Sequence, residues 1–351
     1  MIITVRLAAM SCCAVVAAGV PACATAVRAQ SPLPAVHVIG TGGTIASAGD
    51  YWSGDPTRVP VGQLVNIPGL ERVATVTTEQ LWNIGSSAIG PARWLELSRR
   101  VSDVLRTRPA LSGVVITHGT DTMEETAYFL DLTVAGDRPI VVTGSMRPSD
   151  MPGADGPANL YNAIRSAADP AARGRGTMVL MDDRLFAARD VTKTNTTRLE
   201  TFQAPERGAL AITDPEGIFF HRQAQGRATA QFDVGAVREL PRVDIVYSYG
   251  GADSIPIDAL VAAGARGLVI AGVGRGGTTA TQDVALERAM KQGVIVVAST
   301  RTGSGRVPTG GSDDYIGSGD LNPQKARVLL SLVLTRTHDP REVARYFAAN
   351  Q

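Results

Sequence analysis

Cysteine is absent after residue 23; the three present are Cys12, Cys13 and Cys23. The rest of the chain therefore has no disulfide, no thiol nucleophile and no thiolate for zinc. Histidine is scarce as well. His37, His118, His221 and His338 share no ligand spacing, and neither H-E-x-x-H nor C-x-x-C occurs, so no metal is expected. Neither sign of charge is in excess. The 34 Lys+Arg against 33 Asp+Glu leave a formal +1, which gives no electrostatic footprint for nucleic acid. The G-x-S-x-G elbow of many serine hydrolases is missing. Gly40-x-Gly42-x-x-Ile45 lacks the third glycine of a dinucleotide fingerprint. Gly272-x-Gly274-x-x-Gly277 has it, but no suitable acidic residue follows about 20 residues later.

What is present favours an α/β protein. The 351 residues suggest two domains, and an apolar fraction of 44% supports a sizeable core. The 37 glycines against 5% aromatics suit tight strand-to-helix turns. The first residues have the grammar of a secretory signal. Arg6 gives a positive start, Leu7 to Val20 are Ala/Val-rich, Pro21 breaks the run, and Val27-Arg28-Ala29 precedes Gln30. A signal peptide over 1–29 implies a protein of the periplasm or the medium, with no membrane attachment after cleavage. An uncleaved anchor fits less well, because Ala and Ser span poorly and Pro21 interrupts. Lipidation of Cys23 would need a better preceding motif than Val20-Pro21-Ala22.

Apolar runs at 36–40, 73–77, 113–117, 139–143, 177–181, 243–248, 267–271 and 293–298 are Val/Ile-rich without alternation. Such runs fit strands covered on both faces. Helical patterns fall between them, near 92–107, 122–135, 157–168, 257–264, 279–291, 323–336 and 340–349. The expected architecture is two doubly wound α/β domains, a large N-terminal one with a parallel sheet over 33–222 and a smaller C-terminal one over 243–351. The aperiodic stretch 205–242 reads as a hairpin-like tail followed by a linker at 223–242.

Three predicted strands run into polar, glycine-rich turns: Gly40-Thr41-Gly42-Gly43-Thr44, Thr117-His118-Gly119-Thr120-Asp121-Thr122 and Thr143-Gly144-Ser145-Met146-Arg147. In an open parallel sheet these turns meet outside the carboxyl ends of the strands, where ligands bind. Simpler tasks exist for the same residues. Thr120 and Thr122 could cap the helix that follows, with Glu124 and Glu125 in its first turn, and Asp155 before Gly156-Pro157 could cap another. Lys193 stands in a threonine run, Thr192-Lys193-Thr194-Asn195-Thr196-Thr197. A lysine folded into the crevice would be a general base, and a threonine hydroxyl, a weak nucleophile, needs one.

These motifs resemble the bacterial L-asparaginases. Thr41-Gly42-Gly43-Thr44-Ile45-Ala46 is similar to the first signature of that family and His118-Gly119-Thr120-Asp121-Thr122-Met123-Glu124-Glu125 to the second. Ala154-Asp155-Gly156-Pro157-Ala158-Asn159, Asp190-Val191-Thr192-Lys193-Thr194-Asn195 and Leu321-Asn322-Pro323-Gln324-Lys325-Ala326-Arg327 agree too. With its signal segment the chain resembles the exported, type II branch. The resemblance implies hydrolysis of L-asparagine to L-aspartate and ammonia without a cofactor, with L-glutamine as a candidate second substrate. It also implies a homotetramer built as a dimer of dimers, with each active site shared between neighbouring subunits.

Carried over by motif, Thr44 is the implied nucleophile, and Tyr51, in Tyr51-Trp52-Ser53-Gly54, helps activate it. Thr120, Asp121 and Lys193 form a second catalytic group. Gly43, Ser86, Ser87, Gly119, Thr120, Asp121 and Ser145 contact substrate, with Ser86 on the α-carboxylate and Asp121 on the α-ammonium. Backbone N–H groups near Thr120 and Ser145 would face the oxyanion. The chain departs from the family at Ser87, where many relatives carry Gln or Glu, and at Gly277, where an Asn is usual. The neighbour's glutamate has no clear counterpart; Asp313 and Asp314 are the candidates. Each lost ammonium contact is worth about 1–3 kcal/mol, which opens a broad-specificity glutaminase-asparaginase as the alternative. An exported amino-acid-binding protein is the alternative of another class.

Overall fold

A computed structural model describes residues 32–49, 56–223, 232–308 and 315–350. The proposed signal segment, Tyr51, Asp313 and Asp314 lie outside the described residues. From Leu33 onward the chain forms one compact unit built on two main sheets.

The larger sheet has eight strands in the spatial order 218–220, 211–213, 184–187, 177–181, 140–143, 111–117, 35–42, 75–84. The five from 75–84 to 177–181 pair in parallel. The three at the other edge run antiparallel, so the sheet is mixed rather than wholly parallel. Strand Ala35–Gly42 is buried along nearly its whole length, as its unbroken Val/Ile run requires. Its neighbour does not start at residue 73 and stop at 77. It runs from Thr75 to Ile84, half exposed at the sheet edge, where threonine and glutamate are tolerated.

The chain leaves Ala35–Gly42 for Thr75–Ile84 on one side. It then crosses back to Leu111–Thr117 on the other. The strand order reverses between 35–42 and 111–117, and that is the topological switch point where a crevice opens.

The smaller sheet has four parallel strands, Val243–Tyr247, Gly267–Gly272, Ile295–Thr300 and Ile316–Gly317. Its first three strands and the flanking helices match the expected pattern closely. Gly272 and Gly277 bracket a tight turn closed by the Val273–Gly277 bridge. A Cβ at Gly272 would lie 2.4 Å from the carbonyl carbon of Gly276, so Gly272 is required by backbone crowding.

One apolar core joins the two sheets. Trp94, Tyr128, Phe129 and Leu132 from the larger part pack with Val243, Val269, Leu329 and Val333 from the smaller. Helix Met123–Thr133 lies against helix Pro323–Val333 at this seam. Glu125 and Arg327 face each other across it at 3.3 Å. Burial pushes the Glu125 carboxyl up to about 7, with Arg327 opposing. A carboxyl raised in the fold contributes stability at low pH that is lost as pH rises through the folded value. Glu125→Gln is therefore expected to raise unfolding stability by about 2–3 kcal/mol at about pH 8 and by under ~1 kcal/mol at about pH 5. Urea titrations at both pH values check this; an equal effect at both would mean Glu125 folds ionised.

Candidate active site

The first two turns meet backbone to backbone. Gly43 adopts φ 88°, and a Cβ there would lie 2.3 Å from both Cα and N of Gly119. A Cβ on Gly119 would in turn lie 2.9 Å from the Ser86 side chain. Only glycine at both positions lets the turns after 35–42 and 111–117 close over the switch point. Gly42 is similarly tight against Ile84, and Gly43 N donates to Ile84 O at 2.9 Å. Thr41 Oγ1 donates to Thr117 O at 2.8 Å, which ties the same two strand ends.

Thr44 opens the 3₁₀ turn Thr44–Ala46 directly after Gly43. It is half-buried while Ile45 and Ala46 behind it are buried, which leaves this threonine at the crevice. Ser86 is buried beside Gly119, and Ser87 is exposed at the rim.

Thr120 is buried at the crevice wall. Lys193 Nζ donates to Thr120 Oγ1 at 2.9 Å and to Asp121 Oδ1 at 2.6 Å. The Lys193 side chain is 16% exposed and that of Asp121 75%, so the ion pair adds little stability and its value is orientation. Because Thr120 Oγ1 accepts from the ammonium, its own proton is directed elsewhere. Lys193 reaches this place from the two-residue strand Thr192–Lys193, which pairs antiparallel with Phe202–Gln203. The threonine run therefore makes a hairpin: Thr194 N and Oγ1 both donate to Thr201 O at 2.8 Å, and Asn195 Oδ1 receives the N–H groups of Thr197 and Arg198.

The capping expectations need correction. Thr122 stands at the N-cap of helix Met123–Thr133 but makes no side-chain cap; its hydroxyl donates to Ser86 O at 2.8 Å. Thr120 is held by Lys193 instead. Asp155 occupies the N-cap of helix Gly156–Ala168, again without capping it. Its carboxylate accepts from the N–H groups of Met146 and Arg147 and from Asn159 Nδ2, which fixes the third turn. In that turn Ser145 is buried and its hydroxyl donates to Arg147 O at 2.7 Å. The turn touches the site through Gly144, where a Cβ would lie 3.5 Å from Thr120 Cγ2.

His118 lies within the second motif. It is fully buried, and burial pushes its imidazole down to about 4. Its ring is neutral near pH 7, with the Nδ1 proton donated to Gly119 O at 2.7 Å.

The structure thus brings together Gly43, Thr44, Ser86, Gly119, Thr120, Asp121 and Lys193. It leaves Ser87 at the rim and turns the Ser145 hydroxyl into its own loop. Among the described residues no cluster of His, Cys, Asp and Glu has a metal-holding arrangement. Asp155 as a loop anchor, and Glu124, Asn322 and Lys325 behind Lys193, were missed as functional residues. All four stand within the quoted motifs, and Asp155, Glu124 and Lys325 are charged residues inside segments otherwise destined for burial.

The chain is similar to known proteins over most of its length. Residues 35–226 match the family model for the asparaginase N-terminal region, and residues 242–347 that for the glutaminase/asparaginase C-terminal domain. L-asparaginase 2 of Escherichia coli is 46% identical over 90% of this chain and 93% of its own. A probable periplasmic L-asparaginase of Haemophilus influenzae is 41% identical over 90% and 93%. The crystal structure of a probable cytoplasmic L-asparaginase from Campylobacter jejuni superposes with a TM-score of 0.84 at 39% identity, covering 90% of this chain and 99% of that one. The two turns that interlock at Gly43 and Gly119 thus sit in a chain that matches both halves of one family: the protein belongs to the asparaginase family.

Proposed function

We propose that the protein hydrolyses L-asparagine to L-aspartate and ammonia. The observation that carries this reading is the Lys193 ammonium shared by the Thr120 hydroxyl and the Asp121 carboxylate, beside a half-exposed Thr44 at the switch point. Thr44 Oγ1 attacks the side-chain carboxamide carbon. The C–N bond breaks, the nitrogen takes a proton and leaves as ammonia, and the acyl group stays on Thr44 as an ester. Water then attacks the ester, aspartate departs and the threonine hydroxyl is restored. Thr120 with Lys193 relays protons for these steps, and Tyr51 assists Thr44 from its loop. Ser86 receives the α-carboxylate and Asp121, largely open to solvent, the α-ammonium. A protein that only binds amino acids has no use for a lysine directed at a threonine hydroxyl.

A broad-specificity glutaminase-asparaginase is the second reading. It is favoured by the short, exposed Ser87, where a longer polar side chain would narrow the rim. Ammonia release from L-asparagine and, separately, from L-glutamine, at micromolar and then millimolar substrate, tests both. Turnover at micromolar asparagine with little from glutamine is the expected result. Equal rates for the two amides would establish the second reading, and no ammonia from either would remove the hydrolase.

The active form is proposed to be an exported homotetramer, a dimer of dimers, with domains over 33–222 and 243–351. The charged start, apolar run and Val27-Arg28-Ala29 support export, as does the likeness to a periplasmic relative. Native mass spectrometry of a periplasmic extract reads both points. A monomer, or a chain still carrying residues 1–29, would count against them.

A further inference from the structure

Two distant segments carry the Thr120–Lys193 pair, and one buried corner touches both. Thr120 and Asp121 lead directly into helix Met123–Thr133, where Glu124 in the first turn is 4% exposed. Lys193 ends the other segment. Among the described residues Thr192–Lys193 has a single strand partner, and the carbonyls just before it are not taken by another strand. They are taken by Lys325. Its side chain is 2% exposed, and Nζ donates to Arg189 O at 2.9 Å and to Val191 O, with Glu124 Oε2 at 3.9 Å. Two of the ammonium hydrogens are thus accepted by carbonyls, and the Glu124 carboxylate faces the same charge as an ion-pair partner.

Asn322 repeats the bridge one turn earlier. Its Oδ1 caps helix Pro323–Val333 by accepting from Lys325 N at 2.9 Å. Its Nδ2 donates to Glu124 Oε2 at 3.0 Å and to Thr192 Oγ1 at 3.3 Å. Glu124 and Thr192 lie on the two segments that must meet at Thr120 and Lys193. Burial pushes the Lys325 ammonium down to about 8, with Glu124 and Asp190 opposing, so it is still largely charged near pH 7. A buried ammonium carries a desolvation cost of several kcal/mol, an expensive way to hold two carbonyls unless their position matters.

We infer that Asn322 and Lys325 are positioning residues that clamp the strand carrying Lys193 to the helix behind Thr120, so that the C-terminal part sets the geometry of the catalytic group in the N-terminal part. The inference rests on the proposed role of Lys193. Neither clamp residue touches the reacting atoms, so the signature is a loss in kcat with binding preserved.

Lys325→Met in the full-length protein keeps the stem and removes the donors. The expected result is a kcat for asparagine at least ~10-fold lower with KM within about 3-fold, since an ångström of misplacement costs about that much or more. Amide hydrogen exchange should speed up over residues 189–194 while strand Ala35–Gly42 keeps its protection. A folded Lys325→Met with wild-type kcat overturns the clamp. Exchange accelerated uniformly, with kcat falling only in step with the folded fraction, overturns it as well. If Lys325→Met does not fold, Glu124→Gln carries the same test. It keeps side-chain shape and the acceptor for Asn322 and removes the charge facing Lys325. The same kcat-selective loss supports the clamp, and an unchanged kcat refutes it. Lys193→Met measured alongside separates the two levels: full activity there removes the proposed mechanism and the clamp together. An inactive Lys193→Met beside an unimpaired Lys325→Met removes the clamp alone.

Discussion

Thr44→Ala is expected to lower kcat for asparagine by about 10⁴-fold or more, because it deletes the atom proposed to form the acyl bond. Folding should change by no more than ~0.5 kcal/mol, since the side chain lies half-exposed at the mouth of the crevice. The position of Thr44 is set from behind. Gly43 at φ 88° turns the chain, Ser47 Oγ donates to Gly43 O at 2.9 Å, and Ile45 and Ala46 are buried. None of these depends on the threonine side chain. Ammonia release by purified, folded Thr44→Ala decides the matter: a rate within about 10-fold of the parent would remove Thr44 as nucleophile.

The second large effect is expected from Lys193→Met, a loss of about 10²- to 10⁴-fold, the range a positioned proton-transfer group supplies. Methionine fills the same channel, so the Thr120 hydroxyl loses its 2.9 Å partner without a change in shape. Asp121 loses its cation too, but it stands in solvent, so stability should move by under ~1 kcal/mol. If Lys193 acts only in the transition state, kcat and kcat/KM fall together. A rise in KM with kcat intact would instead make Lys193 a binding residue held by Asp121.

Much of this was legible in the chain because burial writes itself as composition. The runs at 113–117, 139–143 and 177–181 name strands since, apart from one threonine in each, only apolar residues, glycine and proline stand between two helix layers. The edges were harder to read. Strand Thr75–Ile84 carries threonine and glutamate because half of it faces water, and its far end was missed. The antiparallel strands Arg184–Ala187, Ala211–Thr213 and Ile218–Phe220 are too short for any period to show. At the site, the glycine-rich turns marked the crevice without revealing that Gly43 and Gly119 crowd each other, and the lone lysine of a threonine run stood out. Side-chain partners were not legible. Thr122 and Asp155 looked like caps because local spacing allowed it. Tertiary partners, Ser86 O and the N–H groups of Met146 and Arg147, claimed them instead. The Lys325 contacts join residues more than 130 apart, which no local pattern encodes.

The seam between helices Met123–Thr133 and Pro323–Val333 bears on timing. A ribosome or a secretion channel delivers the first helix long before the second. Until the last segment docks, Phe129 and Leu132 lack their partners Leu329 and Val333, and Glu124 faces no cation. A nascent chain holding both threonines and Lys193 therefore lacks the surface that brings them into register. On the proposed clamp, the geometry of Thr120 and Lys193 is complete only once these last helices have docked.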